Sequence, residues 1–130
     1  MTDRKLLERA AAAMANAYAP YSRFSVGAAL ECNDGSVFTG CNVENCALGC
    51  TMCAESVVVG NAVSQGHTDF TRLAVYTNGS NYCFPCGECR QILAEFAPEL
   101  EVLIGRGDGR YVSYKLTELM PNPFSGEQME

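Results

Sequence analysis

Five of the chain's eight cysteines fall in two short stretches, "CTMCAES" (50–56) and "CFPCGECR" (83–90). Cys50 pairs with Cys53, Cys83 with Cys86, and Cys86 with Cys89 at C-x-x-C spacing, which is a zinc-ligand spacing. Two chemistries compete for this pattern. Four thiolates would close a structural site, with Cys50 or Cys83 as the fourth ligand. Three thiolates would leave one position open for water, with Glu55 beside it to take that water's proton and return it to a leaving group.

Local context favours the second arrangement. "PCGEC" (85–89) is set to open a helix, which puts Cys86 and Cys89 three apart on one face, within reach of one ion. Cys53 starts a helix of its own. Unpaired N–H groups and the dipole at a helix N-terminus favour thiolates and offset part of the charge that three of them bring to Zn²⁺. Cys50 and Cys83 lie upstream, in loops without that advantage. Glu55 would be a penalty beside a structural thiolate site and an asset in a catalytic one. Alone it reads as an acidic residue at a helix start. Joined to Cys53, Pro85, Cys86 and Cys89 it completes C-A-E followed by P-C-x-x-C, the cysteine-first form of the zinc deaminase signature.

Elements must position these side chains. Leu6, Leu7, Ala10, Ala11, Met14, Ala17 and Tyr18 recur at helical spacing, with Arg4, Lys5, Glu8 and Arg9 at other positions and Pro20 just beyond, predicting an amphipathic helix over 3–18. "FSVGAALEC" (24–32) and "SVFTGCNV" (36–43) flank Asn33-Asp34-Gly35, a hairpin signal. "CAESVVVGNAVSQG" (53–66) is ambiguous: its three valines favour a strand, while its length, alanines and closing Gly66 favour the helix adopted here. "RLAVYTN" (72–78) reads as a buried strand and "CGECRQILAEF" (86–96) as a second site-bearing helix. "EVLIG" (101–105) and "RYVSYKL" (110–116) are strands around Gly107-Asp108-Gly109. The order α-β-β-α-β-α-β-β predicts one α/β domain over 1–130, a mixed sheet covered by helices.

Composition narrows the partners. Hydrophobic residues make up 48% of the chain and charged ones 18%, which argues for a packed core and against disorder. Net charge is −6 and the nine Lys and Arg are scattered, so no basic patch is expected to grip nucleic acid. "DRKLLERAAAAMANAYA" (3–19) imitates a secretory leader, but Glu8 and Arg9 interrupt its apolar stretch. No apolar run approaches the ~20 residues needed to cross a bilayer. The expected location is cytoplasmic, where eight cysteines point to metal rather than disulfides.

From "YSRFSVGAAL" (21–30) through "GCNVEN" (40–45), "CAE" (53–55) and "PCGECRQ" (85–91) to "ELMPNPF" (118–124), the chain resembles the small tetrameric cytidine deaminases. The resemblance implies a three-layer α/β/α fold with a mixed five-stranded sheet. It implies hydrolysis of cytidine or 2′-deoxycytidine to uridine or 2′-deoxyuridine plus ammonia, in pyrimidine salvage. It further implies one Zn²⁺ per subunit held by Cys53, Cys86 and Cys89, with Glu55 as proton shuttle. Asn42 and Glu44 match positions that hold the ribose hydroxyl, and Phe24 matches a residue lining the nucleoside pocket. Phe124 matches an aromatic that packs on the base from a neighbouring subunit of a homotetramer. Asn and Glu offer donors and acceptors suited to a sugar hydroxyl, and aromatic faces suit a pyrimidine.

Two positions depart from the family pattern. Ser56 stands where many relatives carry an arginine that hydrogen-bonds a zinc-bound sulfur. It donates no charge, leaving Arg90 and the helix ends to compensate around a more electron-rich metal. Leu48 replaces a tyrosine common near the subunit boundary. The nearest rival, blasticidin S deaminase, shares the zinc core but has no ribose hydroxyl pattern for Glu44 to read. Cys32 and Cys41 read as small buried hydrophobes, Cys46, Cys50 and Cys83 as loop thiols, His67 as a solvated loop residue, and Glu127 and Glu130 as a polar tail.

Overall fold

A computed structural model describes residues 1–129; the expectation for Glu130 lies outside the described residues. Helix α1 (Asp3–Met14) opens on Thr2, whose side chain accepts the Lys5 N–H at 3.2 Å, and buries Leu6, Leu7 and Ala10. It stops at Met14 rather than continuing to Tyr18. Tyr18 is taken by another partner: its N–H donates to the Asn42 carbonyl at 3.0 Å, and its own carbonyl accepts from Glu44 N–H at 2.8 Å. The tertiary bridge overrides a local pattern that would carry the helix on.

Strands β1 (Gly27–Cys32) and β2 (Val37–Cys41) form the expected antiparallel hairpin. Its turn closes with Gly35 N–H on the Cys32 carbonyl at 3.0 Å, and Gly35 has φ +89°, a backbone region glycine enters without strain. Helix α2 (Ala54–Ser64) takes the valine run as a helix. Val58 and Val59 are buried, and a Cβ at Gly40 would stand only 2.8 Å from Val58 N, so α2 and β2 touch backbone to backbone. Burial thus decides against the strand propensity of valine. Strand β3 (Phe70–Tyr76), helix α3 (Gly87–Phe96), β4 (Glu101–Gly105) and β5 (Tyr111–Lys115) follow as expected. A single-turn helix α4 (Leu116–Leu119) and two 3-10 turns (Leu48–Cys50, Gly126–Met129) are too short to leave a periodic signal.

The sheet order is β2-β1-β3-β4-β5, with β3 and β4 parallel and the other neighbours antiparallel. Side chains alternate across it. Ala29, Ala74 and Leu103 face α1, while Ala28, Leu30, Leu73, Val75, Val102 and Ile104 pack with Val58, Ala62 and Leu93 from α2 and α3. This is the three-layer α/β/α arrangement. The layer under α2 and α3 carries the larger side chains, and truncating Leu73 there would cost about 2–5 kcal/mol. That rigid face sets where the first turns of α2 and α3 come together. No helix among the described residues is long and apolar enough to cross a membrane.

Candidate active site

Helices α2 and α3 direct their N-termini to one point. Cys53 is the N-cap of α2 and Cys86 the N-cap of α3, and neither side chain caps its own helix. Cys89 follows in the first turn of α3 and is buried. The three sulfurs lie within 4.8 Å of one another, with Cys86 and Cys89 at 3.6 Å. Tetrahedral zinc with Zn–S of ~2.3 Å separates its sulfurs by ~3.8 Å, so the donor set fits zinc. Burial pushes the Cys53 and Cys89 thiols up, and neighbouring acidic groups add to the shift. A cation is therefore what would make thiolates of them.

Cys50 sits exposed in the 48–50 turn, and neither it nor Cys83 belongs to the sulfur cluster. Cys83 is instead half-buried in a cavity wall, where desolvation pushes its thiol up to about 11. The closed four-sulfur arrangement is not what the fold builds. Cys53 and Cys86 border a cavity of about 180 Å³ whose wall also includes Phe24, Val26, Asn42 and Glu55. Glu55, in the first turn of α2, is 5% exposed, and desolvation raises its pKa. A buried carboxyl with a raised pKa, facing a cavity beside a metal-ligating cluster, can hold a proton and release it.

The expected nucleoside contacts divide into two groups. Phe24 and Asn42 line the cavity. Asn42 is 7% exposed, and its amide clamps the chain: Oδ1 accepts Val26 N–H at 3.0 Å and Nδ2 donates to the Phe24 carbonyl at 2.8 Å. One N–H and one lone pair remain for a ligand. Glu44 does not line the cavity. Its carboxylate accepts Tyr21 N–H at 2.9 Å, Ser22 N–H at 3.1 Å and the Ser22 hydroxyl, which together hold its pKa low. Ser22 Oγ in turn accepts Phe24 N–H at 3.0 Å, and Arg23 between them has φ +59°. Glu44 thus braces the turn that presents Phe24.

Phe124 lies outside this cavity, 59% exposed. Its backbone is paired twice with the Gln91 side chain of α3, at 2.7 and 3.1 Å. Ser56 Oγ stands 3.6 Å from Cys89 Sγ, a contact of the kind expected of it. Arg90 does not reach the sulfurs by hydrogen bond. It donates to the Pro85 and Leu119 carbonyls, each at 2.7 Å, tying α3 to the preceding loop and to α4. His67 lies in a loop, as expected, but is only partly solvated: its ring packs on Phe38 at 4.9 Å, Nε2 meets Asp34 at 3.1 Å, and Nδ1 is buried without a partner among the described residues. Cys32 is buried and Cys41 half-buried, while Cys46 is exposed.

Val26, Thr51 and Phe84 also line the cavity, and sequence reasoning did not single them out. Phe84 had a usable signal, as the aromatic immediately before Pro85-Cys86. Val26 and Thr51 had none, because only the folded chain brings them to Glu55. A wider depression of about 560 Å³, bordered by Asn33, residues 69–71 and residues 96–100, contains no cysteine.

Known proteins share the fold and much of the sequence. Residues 1–104 match the family described as the cytidine and deoxycytidylate deaminase zinc-binding region. The cytidine deaminase of Halalkalibacterium halodurans is 41% identical over 130 residues, covering 99% of this chain and 98% of that protein. That of Mycobacterium tuberculosis is 45% identical over 112 residues, covering 86% and 81%. The crystal structure of cytidine deaminase from Burkholderia pseudomallei superposes with a TM-score of 0.92 at 42% identity, covering 95% of this chain and 100% of that one. The two converging helix ends, their three thiols and the matched sequence agree: this chain belongs to the cytidine and deoxycytidylate deaminase zinc-binding family.

Proposed function

We propose that the protein is a single-domain, zinc-dependent cytidine deaminase that hydrolyses cytidine and 2′-deoxycytidine to uridine and 2′-deoxyuridine with release of ammonia. The observation that carries this reading is the juxtaposition of three mutually close thiols, two of which (Cys53 and Cys86) line one small cavity, with a buried carboxyl, Glu55, on the same cavity. Cys53, Cys86 and Cys89 would hold one Zn²⁺. When bound, that ion supplies Lewis-acid activation of water. Glu55 takes a proton from the attacking water and delivers it to N3 of the cytosine ring as oxygen adds to C4. It then passes a proton to the exocyclic amine, which leaves as ammonia while the C4 carbonyl forms.

Phe24 offers an aromatic face to the pyrimidine, and Asn42 offers its spare amide hydrogen and lone pair to a sugar hydroxyl. Glu44 reaches that hydroxyl from beside the turn it braces. Phe124 completes the pocket from a neighbouring subunit of a homotetramer, which accounts for its exposure and its place outside the cavity of its own chain. A cytoplasmic role in pyrimidine salvage follows from such a substrate.

The test is loss of cytidine's ultraviolet absorbance, with zinc-loaded wild type and Glu55→Ala measured together. Wild type should turn over, and Glu55→Ala should lose ~10²–10⁴ in rate while keeping its zinc. Retention of most activity by Glu55→Ala would overturn the role given to that carboxyl.

A further inference from the structure

Part of the cavity wall is built by a segment with no regular structure of its own. Between β3, ending at Tyr76, and α3, starting at Gly87, the chain forms neither strand nor helix. That segment delivers Cys83, Phe84 and Cys86 to the cavity. A loop of this length holds one conformation only if something fixes it.

Two elements do so, at different ends. Near α3, Arg90 Nε holds the Pro85 carbonyl at 2.7 Å. Further upstream the turn between β4 and β5 takes over. Arg106 lays its guanidinium over the Tyr82 ring, 4.6 Å from the centroid, and Nη1 donates to the Ser80 carbonyl at 3.2 Å. Asp108 orients the same guanidinium by accepting from Nε at 3.1 Å. The Arg106 side chain is 21% exposed, so these contacts are partly shielded from water. Next to it, Gly107 N–H donates to the Gly79 carbonyl at 3.0 Å, and a Cβ at Gly107 would stand 2.3 Å from the Asn78 carbonyl oxygen. β5 adds one more contact, the Tyr114 ring edge-on to Phe84 at 5.6 Å.

We propose that Arg106, far from the metal cluster in sequence, is a positioning residue for nucleoside binding: it fixes Ser80 and Tyr82 so that Cys83 and Phe84 form the cavity wall. This rests on the deaminase reading above. The division of labour between the two arginines gives it a distinctive signature. Arg90 and the start of α3 hold Pro85 and Cys86, so metal binding survives the loss of Arg106. The wall one step upstream does not.

The experiment compares wild type, Arg106→Gln, Arg106→Lys and Tyr82→Leu, all zinc-loaded. It measures KM and kcat for cytidine, zinc per chain, and the Kd of uridine by calorimetry. Arg106→Gln and Tyr82→Leu should raise KM and the uridine Kd together by about three- to tenfold, with kcat within about twofold and zinc content unchanged. Arg106→Lys keeps a cation for the Tyr82 ring and should fall between wild type and Arg106→Gln. Should Arg106→Gln not fold, the lysine and Tyr82 variants carry the same comparison. An unchanged KM and uridine Kd in folded variants would overturn the proposal, as would a fall in zinc content and kcat at constant KM. Wild type that fails to deaminate cytidine would overturn the deaminase reading first, a result separable from unchanged variants of an active enzyme.

Discussion

The floor of the cavity and its rim are built in different ways. The floor consists of Cys53, Glu55 and Cys86, with Cys89 completing the sulfur cluster next to them, all within the first turns of α2 and α3 or at their caps. Each helix N-terminus places its own side chains, and the sheet beneath brings the two ends together. The rim depends on contacts distant in sequence. Asn42 clamps the chain at Phe24 and Val26, Glu44 holds the 21–22 turn, and Arg106 pins the 80–82 segment. Phe124, expected at the rim, is exposed and does not line its own chain's cavity. A floor written in local motifs can be complete in one chain, whereas a rim assembled from loops needs braces and, in the proposed tetramer, a neighbour.

The comparison can be broken first at the floor. Cys53→Ala should abolish both metal retention and turnover, because a two-thiol remainder lacks the donor set of a stable zinc site. Zinc content by atomic absorption beside the rate assay checks this; full activity with one zinc per chain would contradict it. At the rim, Phe124→Ala should keep its metal and lose about tenfold in kcat/KM. If Phe124 acts across subunits, co-assembling Phe124→Ala chains with Glu55→Ala chains should regenerate sites that carry both residues. Activity above the sum of the two homo-oligomers is the expected result, and strict additivity would mean that Phe124 does not act across subunits.

A smaller effect is expected at Ser56, whose hydroxyl stands 3.6 Å from Cys89 Sγ. Ser56→Arg would put a charged donor beside the sulfur and should raise turnover about two- to fivefold; parity with wild type would remove the idea of an over-rich metal site. Smallest for catalysis, yet measurable in stability, is the ion pair behind α1. Arg72 donates to Glu31 at 2.7 and 2.8 Å and to Asp3 at 2.7 Å, with the Arg72 and Glu31 side chains 17% and 13% exposed. Hydrogen bonding to Arg72 holds the Glu31 pKa below its ordinary 4.5. The unfolded chain then binds more protons in the window between the two values. The contribution is fully present above 4.5 and is lost as pH falls through the folded value. Arg72→Met should cost about 1–3 kcal/mol at neutral pH and flatten the acid limb of the stability curve, with turnover unchanged. Denaturant midpoints across that range check it.

The same division explains what could be read from sequence. Cys86 and Cys89 are neighbours on one helical turn, so their spacing speaks directly of geometry. The Gly35 hairpin and the short apolar runs of β3 and β4 are equally local. The end of α1 was misread because Tyr18 bonds to Asn42 and Glu44, and no periodicity within residues 3–18 reports that partner. Nothing next to Asn42 in sequence announces its burial, which comes from clamping the Val26 N–H and the Phe24 carbonyl. His67 looked solvated because nothing near it in sequence announces Phe38 and Asp34. Arg106 carried no signal, since its targets at Ser80 and Tyr82 meet it only beyond the ends of the neighbouring parallel strands β3 and β4.

The central claim is that three thiols hold the metal and the fourth position faces the cavity beside Glu55. X-ray absorption at the zinc edge of the loaded wild-type protein counts the sulfurs directly. Three sulfurs plus one oxygen or nitrogen, unchanged in Cys50→Ala and Cys83→Ala, is the predicted result. Four sulfurs, with one lost in either variant, would mean a closed structural site and would contradict the account.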